Sequence, residues 1–254
     1  MTFAYIESMD KKFRGDFMDT KKYELTSNTR IIEGRTLNQI RALKSFGSIK
    51  KGDFGGWIEN EANLSQDGYC WVAGTAAVYG NARVFDNAMI SNQAIIYDQA
   101  WIFGHAWVFD QAQVFGQAKV YDNARIFGEA KIFDLATIAG NAEVYQRAWI
   151  SGISRVFGNT DAFGDVLISG NTEINGQGVI QSPNDVLTID SIGDNEVLTA
   201  YTSKQGVQIS MRGFQTTLTD FESYIAKREE NNPKLYEQYQ IIIKLIKNKF
   251  NIKK

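Results

Sequence analysis

His105 and Cys70 are the only histidine and the only cysteine in the chain of 254 residues. A histidine could act as a general base that deprotonates an acceptor hydroxyl or amine. His105, however, stands in the stretch Phe103, Gly104, His105, Ala106. Asn, Gln or Glu occupy the equivalent place at neighbouring six-residue intervals, so a polar turn residue accounts for it. Cys70 falls in a place that alanine takes later in the chain and is expected to be a buried thiol. One cysteine forms no disulfide framework, and one of each residue cannot supply three His or Cys ligands to a metal. The pairs Asp98 with Asp134 and Asp86 with Asp122 are spaced too far apart for calcium and lack converging partners. Gly55 and Gly56 are not followed by a lysine and serine, so they read as a tight turn rather than a phosphate cradle. No catalytic site, metal or cofactor is therefore expected. The residues that invite chemistry are those suited to binding: Trp71, Met89 and Trp107 on one register, Arg83, Trp101 and Lys119 on another, and Trp149.

What positions these residues is a clock of six. From Val72 to Ile180 an apolar residue returns at every sixth position, and eighteen of the nineteen are β-branched, Ala162 being the exception. A second series, Ala76 to Ala148, gives thirteen alanines at the same interval without a miss. β-Branched residues favour extended backbone, and a strict period of six keeps no single face of a helix with 3.6 residues per turn. The pattern is that of a parallel β-helix, three hexads to a coil, with about six triangular coils and a length of roughly 30 Å at ~4.8 Å per coil.

Each hexad then has assigned places. In Val114 to Lys119, Val114 and Ala118 point inward and Gly116 and Gln117 turn the corner. Corner residues from Gly80 to Gly140 draw on Gly, Asp and Asn, which tolerate left-handed backbone. At eighteen-residue spacing one corner reads Gly80, Asp98, Gly116, Asp134, which keeps carboxylates a whole coil apart. The place after the β-branched residue is aromatic, predicting ladders of Tyr79, Tyr97, Phe115 and Phe133, of Phe85, Phe103 and Tyr121, and of Phe109, Phe127, Tyr145 and Phe163. Stacking in such ladders adds about 0.5–1.5 kcal/mol per pair. The place before the β-branched residue points outward. It brings Trp71, Met89 and Trp107 into one stripe and Arg83, Trp101 and Lys119 into a cation–π ladder.

Outside the clock, residues 1–69 read as an N-terminal β cap, residues 70–182 as the β-helix and residues 183–254 as a C-terminal module. In the cap, Tyr23 to Thr26 and Arg30 to Ile32 suggest a short hairpin, and Leu37 to Leu43 a further extended or helical run. In the C-terminal module, Val186 to Ile189, Val197 to Thr202 and Val207 to Met211 alternate as strands, with Gln205 and Gly206 as a hairpin turn. Thr219 to Glu222 reads as a capping box opening a helix to Arg228. A second helix begins at Pro233, with Leu235, Tyr239, Ile242, Ile243 and Ile246 on one face. The fold class is mainly β: a β-helix with a β cap at one end and a β-hairpin plus two helices at the other.

The net charge of −2 gives no basic footprint for general nucleic-acid binding. Residues 71–180 carry six Lys or Arg against ten Asp or Glu, and the last 28 residues carry eight against three. No signal-type apolar run or membrane-length stretch is apparent, so a cytoplasmic protein without a membrane partner is expected.

Several stretches together carry a resemblance: Ile40 to Lys44, Gly55 to Ile58, Asn63 to Val72, repeats such as Tyr79 to Val84, and the tail from Leu198 to Tyr201 and Asp220 to Tyr224. The chain resembles phage- and prophage-encoded hexapeptide-repeat proteins with a left-handed parallel β-helix. The resemblance covers most of the chain and implies left-handed coils, which spacing alone does not. The wider left-handed group includes trimeric acyltransferases that use acyl-CoA, with a histidine base near a subunit interface. That resemblance would cast His105 as the base, but the run of hexads extrudes no loop to shape an acceptor pocket.

Three functional readings follow. The first is a non-enzymatic, oligomeric binding protein, a trimer by analogy with relatives. It would present β-helix faces to a host macromolecule or a sequestered small molecule, as in counter-defence, with Trp71, Met89 and Trp107 as the self-association stripe. The second is a CoA-dependent acyltransferase using His105. The third is a purely structural assembly protein.

Overall fold

The computed structural model describes residues 21–192, 196–211, 213–228 and 232–252. Its centre is a parallel β-solenoid of two-residue strands separated by corners. Three sheets run along the prism, their inward columns starting at Ile58, Leu64 and Val72 and gaining one such residue per coil. Strand pairing repeats every eighteen residues, so Trp107 lies beside Met89 and Arg125, and Lys119 beside Trp101 and Thr137. The β-branched series and all thirteen alanines are buried and form one continuous core.

The prism has about seven turns rather than six, because it starts earlier than Val72. Trp57 and Ile58 pair in parallel with Ala77 and Val78, and Leu64 bridges Val84. Ile58 and Leu64 keep the interval of six, but Leu64 to Val72 is a step of eight. Two extra residues in the loop Ser65 to Cys70 hide the first coil from a search for a fixed period. The strand Phe54–Ile58 also corrects the expected glycine turn. Gly55 and Gly56 are buried within it. A Cβ on Gly55 would lie 2.5 Å from Ile40 Cγ1 and 2.6 Å from Trp71 Cζ2, and one on Gly56 would lie 2.6 Å from the Ala76 carbonyl. Close approach of neighbouring chains is what requires glycine there.

Residues 1–20 of the expected cap lie outside the described residues, and the described part opens with one antiparallel hairpin, Tyr23–Ile32 with Arg35–Ala42. The expected break inside the first of these is a bulge between Leu25 and Thr29. The true turn is Glu33 and Gly34, with φ of 50° and 76°. This two-residue turn with positive φ at both positions matches the twist of the flanking strands. The hairpin extends one sheet of the prism through Phe54–Ile58. It is held by Tyr23, whose hydroxyl donates to the Leu64 carbonyl at 2.6 Å.

At the other end, Val186–Ile192, Glu196–Ser203, Gly206–Met211 and Phe214–Thr217 form a four-stranded antiparallel sheet, one strand more than expected. Helices Leu218–Arg228 and Pro233–Lys249 pack on it through Phe221, Ile225, Tyr239, Ile243 and Ile246. The first helix is capped two residues earlier than expected: Thr217 Oγ1 accepts the Asp220 amide at 3.1 Å. Tyr201 ties this module to the prism, its hydroxyl donating to the Asn175 carbonyl at 2.7 Å. No described helix is long and apolar enough to cross a membrane.

Candidate functional site

The three faces of the prism each present one exposed tryptophan: Trp101 is 40% exposed, Trp107 41% and Trp149 45%. Their place before a buried β-branched residue forces them outward, since side chains alternate along a strand. Each has a cation one coil away. Lys119 Nζ lies 5.6 Å from the Trp101 ring, the Arg125 guanidinium 5.6 Å from Trp107, and Lys131 Nζ 5.2 Å from Trp149. The expected pairing of Trp101 with Lys119 is present. Arg125 follows Trp107 on its face as the spacing places it, whereas the pair of Lys131 with Trp149 escaped the sequence reading, although its offset of eighteen in the outward place was a usable signal. Arg125 also pairs with Glu143 at 2.8 Å. Arg83 flanks Trp101 on the coil below and is exposed.

Trp71 does not belong to an exposed stripe. It is 1% exposed, enclosed by edge contacts from Tyr23 at 6.3 Å and Phe46 at 5.5 Å. The hairpin and its following loop fold over this first rung, so Trp71 anchors the cap. The stripe is reduced to Met89, which is half-buried, and Trp107, whose Nε1 donates to Ser91 Oγ at 3.1 Å.

The aromatic ladders form as expected. Ring centroids along all three are 4.7–5.4 Å apart with planes within 10° of parallel. The exposed tryptophans lean on them: Trp101 meets Phe85 edge-on at 6.1 Å, Trp149 meets Phe133 at 6.4 Å, and Trp107 lies 4.6 Å from Phe109. This packing fixes the rings without covering them, a preorganised surface that loses little rotamer entropy on binding.

The corners are built by hydrogen bonds between coils. Asp86, Asp98, Asp110, Asp122 and Asp134 each accept the amide of the glycine eighteen residues on, at 3.0–3.3 Å. All five have φ of 56–58°. Alternation of Asp with Gly thus separates charges and also caps an amide at every second level. Along one corner a groove of about 640 Å³ runs from the hairpin tip past Tyr97, Asp98, Gln99, Gln117 and Leu135, with Glu33 and Arg35 at its end. Burial raises the phenols of Tyr79 and Tyr97 above their ordinary range, and Glu33 reinforces both shifts. Tyr79 accordingly stays a donor, to Glu33 Oε2 at 3.3 Å.

His105 is exposed on a corner, its backbone amide donating to the Asp122 carbonyl at 2.7 Å. It stands between Asn87 and Asn123 in a column where Asn123, Asn141 and Asn159 form an amide ladder at 2.9–3.1 Å. The fold gives it a turn residue's place and brings no described carboxylate to its imidazole. Among the described residues no group of three His, Cys, Asp or Glu converges as metal ligands.

No protein-family model matches the chain, and no curated protein matches it either.

Proposed function

We propose that the protein is a non-catalytic oligomeric binder that uses the tryptophan–cation faces of a rigid prism. The observation that carries this reading is the recurrence of one motif on three faces: an exposed tryptophan braced by an aromatic ladder, with a Lys or Arg one coil away. Tryptophan and arginine are enriched at interface centres. The face of Met89, Trp107 and Arg125 is the self-association surface, in a trimer. Trp101 with Lys119 and Arg83, and Trp149 with Lys131, remain for a partner or small-molecule ligand. Resemblance to phage-borne, left-handed hexapeptide-repeat proteins supports a role in the host cytoplasm against a host macromolecule or a sequestered metabolite, in the manner of counter-defence.

Native mass spectrometry of the purified chain tests this. The reading expects a trimer, a co-purified ligand, and conversion to monomer by Trp107→Ala. A ligand-free monomer that turns over acyl-CoA, with turnover abolished by His105→Ala, would overturn it in favour of an acyltransferase.

A further inference from the structure

Lys22 is a buried lysine whose place in the core neither the repeat nor the faces use. It is 1% exposed and sits beneath the hairpin against Cys70, which is fully buried. Lys22 Nζ lies 3.1 Å from Cys70 Sγ. The same nitrogen reaches the carbonyls of Cys70 at 2.9 Å, Asp67 at 3.1 Å and Gly68 at 3.4 Å, and the Phe46 ring lies 5.3 Å away. Four acceptors exceed the three hydrogens of an ammonium. Burial lowers the Lys22 pKa and raises that of Cys70, and the nitrogen and sulfur face each other directly in the interior. The chain has no second cysteine, so an oxidised Cys70 finds no thiol within the molecule to resolve it.

We propose that Lys22 and Cys70 are an oxidative modification site, joined by a small peroxide into an Nζ–O–Sγ bridge that fastens the N-terminal hairpin to the prism. One hydrogen peroxide transfers an oxygen atom to the thiol, breaking its O–O bond and leaving as water, and gives the sulfenic acid. A second peroxide takes two more electrons as the amine nitrogen bonds to that oxygen. The sulfenic O–H hydrogen and one N–H hydrogen leave, and two further waters form. The inserted oxygen leaves nitrogen and sulfur near their present separation. A direct S–N bond would draw them together by roughly an ångström or more in a close-packed interior. The bridge closes a loop from residue 22 to residue 70 and cross-links the cap covalently to the first coils. Burial makes the reaction slow and paces it by opening of the hairpin.

The test is intact and tandem mass spectrometry of the full chain after hydrogen peroxide. The expected product gains one oxygen and loses two hydrogens, links the peptides carrying Lys22 and Cys70, and reverts with dithiothreitol. Its melting temperature rises by about 5 °C. Cys70→Ala, which places alanine where thirteen later hexads carry it, and Lys22→Met each abolish the linked product. Sulfinic or sulfonic acid at Cys70 with the Lys22 peptide unchanged, an intermolecular disulfide, or a thiol left intact by peroxide would each overturn the proposal.

Discussion

Between Ala76 and Ala148 the second inward place never varies, whereas the last coils fill it with Ser154, Thr160, Val166, Thr172 and Gly178. Both sets are buried, yet they meet different neighbours. In the middle of the prism each coil packs on a near copy of itself, and a methyl group suits both sides of every contact. Near the C-terminus the coils hand over to a different fold, and hydroxyls carry the transition. Thr172 Oγ1 donates to the Ser169 carbonyl at 2.7 Å and lies 2.8 Å from Thr188 Oγ1. Thr188 meets Thr199 Oγ1 at 3.4 Å, which accepts the Glu173 amide at 3.1 Å. Gly178 is needed because a Cβ would lie 2.7 Å from Ile174 Cγ2. Self-templating thus permits a uniform apolar interior, and a junction between unlike folds requires directional bonds.

The largest effect separating these regions is expected from a core truncation in the middle. Ile126→Ala should lower stability by about 4 kcal/mol in urea denaturation, since coils locked on both sides cannot collapse into the cavity. A loss below about 1 kcal/mol would mean that the repeat is loosely packed. Next come two glycines with similar backbone angles. A Cβ on Gly116 would sit 2.8 Å from the Asp134 amide nitrogen, whereas Gly170 has open space around it. Gly116→Ala is expected to cost about 3 kcal/mol and Gly170→Ala about 1 kcal/mol, the latter from left-handed φ alone. Equal losses would mean that coil-on-coil crowding adds nothing to the need for glycine at Gly116.

A valine in the alanine place should reverse sign between the regions. Ala118→Val overpacks the middle and should destabilise by about 1–2 kcal/mol. Thr160 Oγ1 is buried without a hydrogen-bond partner, so Thr160→Val should stabilise by about 1 kcal/mol. The smallest effect is confined to the C-terminal junction and appears at alkaline pH. Burial pushes the Tyr201 phenol up to about 12. A raised folded-state pKa means that its contribution is complete below the ordinary phenol value of about 10 and is lost as pH climbs through 12. Protection factors at the Asn175 and Gly176 amides should therefore fall across that window, while those of the middle coils hold.

The contrast also explains what could be read from residues. Most features that depend on the eighteen-residue offset were read from the residues: the inward series, the three ladders, the corner conformation and the pairing of Trp101 with Lys119. Features that depend on a change of step or on distant chain were not. The first coil lay hidden behind the eight residues from Leu64 to Val72. The hairpin looked broken because a bulge occupies Thr26 to Asn28. Burial of Trp71 follows from Tyr23 and Phe46, which no local pattern connects to it. The corner groove likewise needs the hairpin tip at Glu33 and Arg35 to fold back over Tyr79.

Hydroxyl-radical footprinting of the tryptophans over a range of protein concentrations tests the central claim most directly. Trp71 should stay unreactive throughout, Trp101 and Trp149 should stay reactive, and Trp107 should become protected with rising concentration if the proposed trimer forms. If Trp107 reacts as readily as Trp101 at every concentration, the proposed self-association face is wrong. If Trp71 reacts with them, the cap does not close the prism as described.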